Sequence, residues 1–194
     1  METFDWASYI KEWSIFQIER LNSEQKNYLP PEVIESFYLG YPGATEEQII
    51  AAEKRLGVIF PPSYKDFLKA SNGLRSAIKD DIEFYSTEEI DWFAVRNQER
   101  IDDWTSDIEE IPSVPDEKYF VYGQEQNCVH LRCEYMQTAL EISSDSDGYI
   151  YLLNPEIISP DGEWEAWYFG NKLPGAFRYS SFTQMMKSML KKYQ

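Results

Sequence analysis

From Phe4 to about Leu21, apolar residues recur at Trp6, Tyr9, Ile10, Trp13, Phe16 and Ile18, close to the i, i+3, i+4, i+7 spacing of an amphipathic helix. Pro30-Pro31 ends that pattern, and a short helix through Val33, Ile34 and Phe37 follows, with Pro31 in the first turn where its missing N–H is harmless. After the turn cluster Leu39-Gly-Tyr-Pro-Gly43, Thr45-Glu-Glu-Gln48 has the form of a capping box, in which hydroxyl and amide side chains satisfy each other's backbone N–H groups. The helix it opens carries Ile49, Ala52 and Leu56 as its buried stripe and stops at Gly57. Pro61-Pro62-Ser63 starts another, with Tyr64, Phe67, Leu68 and Ser71 on one face and Asn72-Gly73 as its terminator.

Beyond Gly73 the pattern changes to short apolar runs between polar turns, which predicts strands at Ile82–Tyr85, Tyr119–Tyr122, Ala139–Ile142, Tyr149–Leu153 and Trp164–Phe169. A last helix from Ser181 to Tyr193 has Phe182, Met185, Met186, Met189 and Leu190 on its apolar side. Helices first, strands next and a helix last indicate an α+β fold, with a single antiparallel or mixed sheet flanked by helices. Residues 1–38 read as an N-terminal helical segment packed on a domain that occupies 39–194, and the polar stretch from Glu99 to Glu117 reads as an insertion or loop.

Charge changes this picture in one respect. Thirty-four acidic side chains against 18 basic ones give a net charge of −16 over 194 residues. Such a balance would suggest disorder, but 6 Trp, 14 Tyr and 11 Phe provide enough apolar area for a core. It also argues against direct nucleic-acid binding and against docking on anionic membranes, both of which rest on Lys and Arg. The start Met1-Glu-Thr-Phe-Asp lacks the basic and apolar regions of a signal peptide, and no apolar run approaches the roughly 18 residues of a membrane span. Together with only two cysteines, these features lead to the expectation of a cytoplasmic protein.

Few residues carry obvious chemistry. Cys128, His130 and Cys133 are zinc-ligand types, but no second Cys or His group completes a four-ligand set, so we expect packing or plain surface and no metal. Glu163 and Glu165, bracketed by Trp164 and Trp167, have a spacing compatible with a glycosidase pair; in so acidic a chain such pairs arise by chance, and a strand with one solvated acidic face is the simpler reading. The only histidine is His130, no nucleophile elbow surrounds Ser63, Ser71 or Ser143, and no glycine-rich phosphate loop occurs. No catalytic, cofactor-binding or metal residues are assigned, and no cofactor is expected.

The segments Leu39-Gly-Tyr-Pro-Gly-Ala-Thr-Glu-Glu-Gln-Ile-Ile, Glu53-Lys-Arg-Leu-Gly57, Phe60-Pro-Pro-Ser-Tyr-Lys-Asp-Phe-Leu68 and Ser71-Asn-Gly73 resemble the signature of the SUKH superfamily. The resemblance continues in Tyr151-Leu-Leu-Asn-Pro155, Gly162-Glu-Trp-Glu-Ala-Trp-Tyr-Phe169 and Pro174-Gly-Ala-Phe-Arg-Tyr-Ser-Ser-Phe182. Departures are conservative: Tyr38 stands where many relatives have Trp, and Phe60 where Leu is common. It implies an α+β domain without agreed catalytic residues. In bacteria it implies an immunity role, neutralising a cognate protein toxin, often a nuclease, by direct contact. The fungal side of the superfamily implies an alternative, a regulatory or scaffold module in cell-wall control. Within the signature, Glu53 adjoins the buried stripe and is expected to hold backbone N–H groups of the Gly57–Pro62 connection, although an exposed helix position is the simpler alternative.

The immunity reading gives the acidic stretch a meaning. Between Glu99 and Glu117 lie Asp102, Asp103, Asp107, Glu109, Glu110 and Asp116 against the single Arg100. The plain reading is a solvated loop; the functional one is a surface that enters a toxin's basic cleft by electrostatic steering and anchors there through aromatic side chains. The candidate partner-binding residues are Trp92, Phe93, Asp102, Asp103, Trp104, Asp107, Ile108 and Glu109. Oligomeric state is left open. A glycan-processing enzyme using Glu163 and Glu165 is the third and weakest reading.

Overall fold

The computed structural model describes residues 4–106, 112–170 and 172–191. They form an α+β fold whose one sheet has five antiparallel strands, and the chain divides into two compact units. The first runs through Glu89 and takes in Ser144–Asp147; the second comprises the rest from Ile90 onward.

The first unit is built from helices α1 (Trp6–Glu19), α2 (Ser23–Lys26), α3 (Pro31–Ser36), α4 (Glu46–Leu56) and α5 (Pro62–Ala70). Asp5 caps α1 by accepting the Ser8 N–H at 3.0 Å. The predicted stripe of Trp6, Tyr9, Ile10, Trp13 and Ile18 is buried, with Trp6 edge-on to Phe67 of α5 at 5.5 Å. Thr45 and Gln48 form the reciprocal capping box of α4, and Gly57 ends that helix at φ 72°. Gly43 has no room for a side chain, because a Cβ there would lie 2.0 Å from the Lys69 carbonyl oxygen. That close approach lets the Ala44 N–H donate to the Leu68 carbonyl at 2.8 Å and ties the loop before α4 to α5.

The carboxylate of Glu53 accepts the Phe60 N–H at 2.8 Å and pairs with Lys65 at 3.4 Å, so it does hold the connection between α4 and α5. Ile82–Tyr85, expected as a strand, is reduced to a bridge between Phe84 and Leu74, which in turn bridges Gly40. Gly73, at φ 95°, leaves no space for a Cβ beside the Phe84 carbonyl.

In the second unit the strands are β1 (Asp91–Trp92), β2 (Leu140–Glu141), β3 (Tyr149–Ile158), β4 (Trp164–Gly170) and β5 (Ala176–Tyr179), side by side in chain order. Pro155 has no N–H for the ladder, and the β3–β4 register shifts between Asn154 and Ile158. Helix α6 (Phe93–Thr105) follows β1, α7 (Asp116–Tyr119) and a 3-10 turn (Cys133–Thr138) precede β2, and α8 (Phe182–Lys191) packs on β4 and β5. One core cluster gathers Phe93 and Ile101 of α6, Met136 of the turn, and Ile150, Leu152, Trp167 and Phe169 of the central strands. Tyr119–Tyr122, expected as a strand, is instead the end of α7 and the segment after it.

The strand β5 is a sheet edge covered by a loop. The Ala176 N–H donates to the Cys128 carbonyl at 3.0 Å. The Gln126 side-chain amide accepts the Arg178 N–H at 2.8 Å and donates to the Arg178 carbonyl at 3.1 Å.

Candidate functional site

Helix α6 places most of the described candidate residues. Phe93 opens it, its N–H donating to the Ala139 carbonyl at 2.8 Å, and one turn later Asn97 departs from helical geometry at φ −132°. The kink coincides with a contact to the sheet. Asn97 Nδ2 donates to Glu141 Oε2 at 2.7 Å while Arg96 Nη1 meets Glu141 Oε1 at 3.1 Å, so the buried carboxylate of Glu141 receives both donors from adjacent positions. The remaining turns direct Ile101 into the core, with Trp104 half-buried and edge-on to Phe169 at 5.2 Å. Glu99, Asp102 and Asp103 are left on the exposed face.

The expected residues therefore divide. Asp102, Asp103 and Trp104 come together at the C-terminal end of α6; Trp92 is half-buried on the short edge strand β1. Phe93 is fully buried in the core, which corrects its assignment to a contact surface: on a helix that packs against the sheet, the first inward position belongs to the core. Asp107, Ile108 and Glu109 lie outside the described residues. The stretch from Glu99 onward, expected as a loop, is helical as far as Thr105, so its first acids are held on a defined face.

The end of α6 also forms a wall of a cavity of about 710 Å³, open to solvent, whose other walls come from residues 112–114 and 129–134. Trp104, Val114, Val129 and Leu131 make it apolar, while Asp103 and Glu134 stand at its border. His130 and Cys133 line it as well. Burial and the neighbouring Glu134 push the Cys133 thiol up to about 11, so it is protonated and poorly nucleophilic at neutral pH. Among the described residues no three His, Cys, Asp or Glu side chains converge in a metal-binding group.

The largest surprise is Glu165. It is fully buried, which corrects the expectation of a solvated acidic strand face. Its Oε2 accepts from Tyr119 Oη at 2.6 Å, Trp167 Nε1 at 2.6 Å and Asn154 Nδ2 at 3.0 Å. Its Oε1 accepts from Tyr122 Oη at 2.9 Å and lies 4.0 Å from Arg178 Nη1, which also donates to the Tyr119 carbonyl. Burial and the charge of Glu165 raise the hydroxyls of Tyr119 and Tyr122 well above the ordinary tyrosine range. Arg178 is itself fully buried, its guanidinium 4.4 Å from the Tyr119 ring centre. A carboxylate so saturated and shielded has neither access to a substrate nor spare capacity for proton transfer; it fastens residues 119–122 to the sheet. Glu163 precedes β4 and is only partly buried, so the two acids form no pair astride a cleft.

A sequence model of the SMI1 / KNR4 family (SUKH-1) matches residues 43–188, about three quarters of the chain. The chain belongs to this family. The SUKH-1 match spans the capping box of α4, the Gly57 stop, the glycine contact at Gly73, both central strands and the Glu165 network. Membership is consistent with an immunity-type or SMI1/KNR4-like role exercised on a protein partner. No individual curated protein matches the chain. Among the described residues no helix is long and apolar enough to cross a membrane.

Proposed function

We propose that this SUKH-1 protein is a non-catalytic immunity protein of the bacterial cytoplasm that binds a cognate toxin and blocks its active site or substrate access. The observation that supports this most is the end of α6, where Glu99, Asp102 and Asp103 are exposed beside half-buried Trp104 on a chain of net charge −16. An acidic face with an aromatic neighbour suits a target that carries a basic cleft, and a nuclease must have one to hold its substrate. Trp92 and Trp104 are the aromatic anchors of this reading, and Asp102, Asp103 and Glu99 its steering charges. Asp107, Ile108 and Glu109 extend the same acidic run in sequence.

The buried, saturated state of Glu165 removes the best candidate for a catalytic carboxylate and supports a binding protein over a glycan-processing enzyme. The family description also accommodates a regulatory or scaffold module acting on a different protein partner. The deciding experiment supplies purified protein to the toxin encoded nearest its gene. Stoichiometric inhibition, with a one-to-one complex on size exclusion, supports the immunity reading. A toxin that retains full activity at excess protein refutes it.

A further inference from the structure

The cavity beside Trp104 has a composition that selects its occupant. Its wall is apolar, with Val129 53% exposed and Trp104 only half-buried, so the free protein leaves indole and isopropyl surface in water. Covering such surface favours a complex, because it removes apolar area from water. Yet the border is acidic. Asp103 and Glu134 are both exposed there, Glu134 accepting from the Ser113 hydroxyl, and among the described residues neither Lys nor Arg lines the cavity. The nearest guanidinium on the 129–134 side, Arg132, is engaged elsewhere, donating to the Val114 carbonyl at 2.8 Å and to the Asp116 carboxylate and lying 4.5 Å from the Tyr119 ring centre. On α6, Arg100 is turned toward the Phe169 ring at 6.0 Å.

A purely apolar side chain would cover the wall but bring no charge to complement the two carboxylates at its border. An acidic one would be repelled. A long basic side chain satisfies both features, laying its methylene stem along Val129 and Leu131 and carrying its cation to the acidic border. Arginine fits better than lysine: its planar guanidinium stacks on an indole and presents paired N–H groups to a carboxylate, and it sheds water more readily than an ammonium. The volume of about 710 Å³ exceeds one side chain and leaves room for the backbone that delivers it.

We propose that this cavity is the docking site for an arginine side chain presented by a basic partner protein. The inference deepens the function proposed above and rests on it: the acidic face of α6 attracts the basic surface, and the cavity beside Trp104 receives one of its arginines.

The test is a ¹H–¹⁵N NMR titration of the full chain with blocked tri-arginine, with tri-lysine and tri-citrulline as probes of equal backbone. Shifts should centre on the Trp104 indole N–H and the amides of Val129, Leu131 and Glu134. Tri-arginine should bind more tightly than tri-lysine by about three-fold or more, and neutral tri-citrulline should not bind. Val129→Lys, at an exposed position, should abolish the localised shifts while leaving the rest of the spectrum in place. Asp103→Asn with Glu134→Gln should weaken tri-arginine by about ten-fold or more, as expected when charge-assisted hydrogen bonds are lost. Shifts scattered evenly over every acidic face, equal binding of tri-citrulline, or indifference to Val129→Lys each overturn the proposal.

Association with the toxin separates this inference from the reading beneath it. If reversing the α6 charges slows association but Val129→Lys leaves it unchanged, the cavity proposal falls and the docking face stands. If both leave it unchanged, the α6 face is not the contact, and the cavity assignment to a partner arginine is refuted with it.

Discussion

Trp167 donates its indole N–H to the carboxylate of Glu165, two residues earlier on the same strand, at 2.6 Å. Alternate residues of a strand share a face, so the bond requires Glu165 to point with Trp167 into the protein. Four uncharged or cationic groups besides that indole then converge on one buried anion: two tyrosine hydroxyls, the Asn154 amide and Arg178. Glu165→Ala should cost about 3–5 kcal/mol, because it strands the buried guanidinium of Arg178. Removing both charges together, Glu165→Met with Arg178→Met, should cost clearly less than the sum of the single changes. Urea denaturation of Glu165→Met, Arg178→Met and the double variant gives the coupling, and strict additivity would show that the pair does not interact.

The same network gives the protein an alkaline limit. The hydroxyls of Tyr119 and Tyr122 are raised mainly by burial and then by the charge of Glu165, and those of Tyr9 and Tyr64 mainly by burial. A tyrosine whose folded value lies above its unfolded value near 10 holds its proton more tightly when folded. Its contribution is therefore complete below pH 10 and declines as pH rises beyond it. We expect stability to fall steadily above pH 10, with cooperative loss of structure accompanied by tyrosinate absorbance. Tyr122→Phe should lessen the slope of stability against pH in that range; a stability curve flat through strongly alkaline pH contradicts the assignment.

Glu53→Ala should destabilise by about 1–3 kcal/mol, since the partly buried Phe60 N–H loses its acceptor and Lys65 its partner. Glu53→Gln keeps an oxygen in place and should recover much of the loss. Equal melting temperatures for wild type and Glu53→Ala would place the residue among ordinary surface acids.

Reversal of Glu99, Asp102 and Asp103 to Lys should slow association with the partner by about ten-fold or more at low salt. The wild-type rate should fall as the Debye length shortens from about 30 Å at 0.01 M to about 8 Å at 0.15 M, and the variant's should not. Stopped-flow or surface-plasmon kinetics measure both, with circular dichroism as the check on folding. Salt-independent association of the wild type rules out steering by this face.

Phe93→Ala separates core from contact. Loss of a fully buried aromatic should cost about 3–5 kcal/mol, while folded protein at low temperature should associate at the wild-type rate. Trp92→Ala, at a half-buried edge position, should spare stability more and raise the dissociation rate.

The first unit was legible because its signals are local. The Thr45–Gln48 box, the Gly57 stop and the Pro61-Pro62 start are each decided within a few residues, and each occurs where the pattern places it. Helix α6 is not expected from the sequence pattern: Phe93, Ile101 and Trp104 keep helical spacing, but the inward position between them is Asn97, whose partner Glu141 is 44 residues away. Polar inward residues look like surface until the partner is known. Glu165 was misread for the same reason, compounded by β4 being buried on both faces, where alternation between apolar and polar residues no longer reports direction. The cavity is hidden in the sequence because its walls come from three separated segments, although charge and aromatic content alone single out Trp104 and Asp103.

The amide of Gln126 occupies the place beside β5 that another strand's peptide group would take, and the Cys128 carbonyl takes the neighbouring one. The opposite edge, β1, offers only Asp91 and Trp92. These two outermost strands therefore give an incoming chain little backbone to pair with, whether that chain is a partner's strand or another copy of the protein. Under the binding role proposed above, recognition falls to side chains, which can be exchanged without disturbing a strand register, so one scaffold could serve partners of different surface.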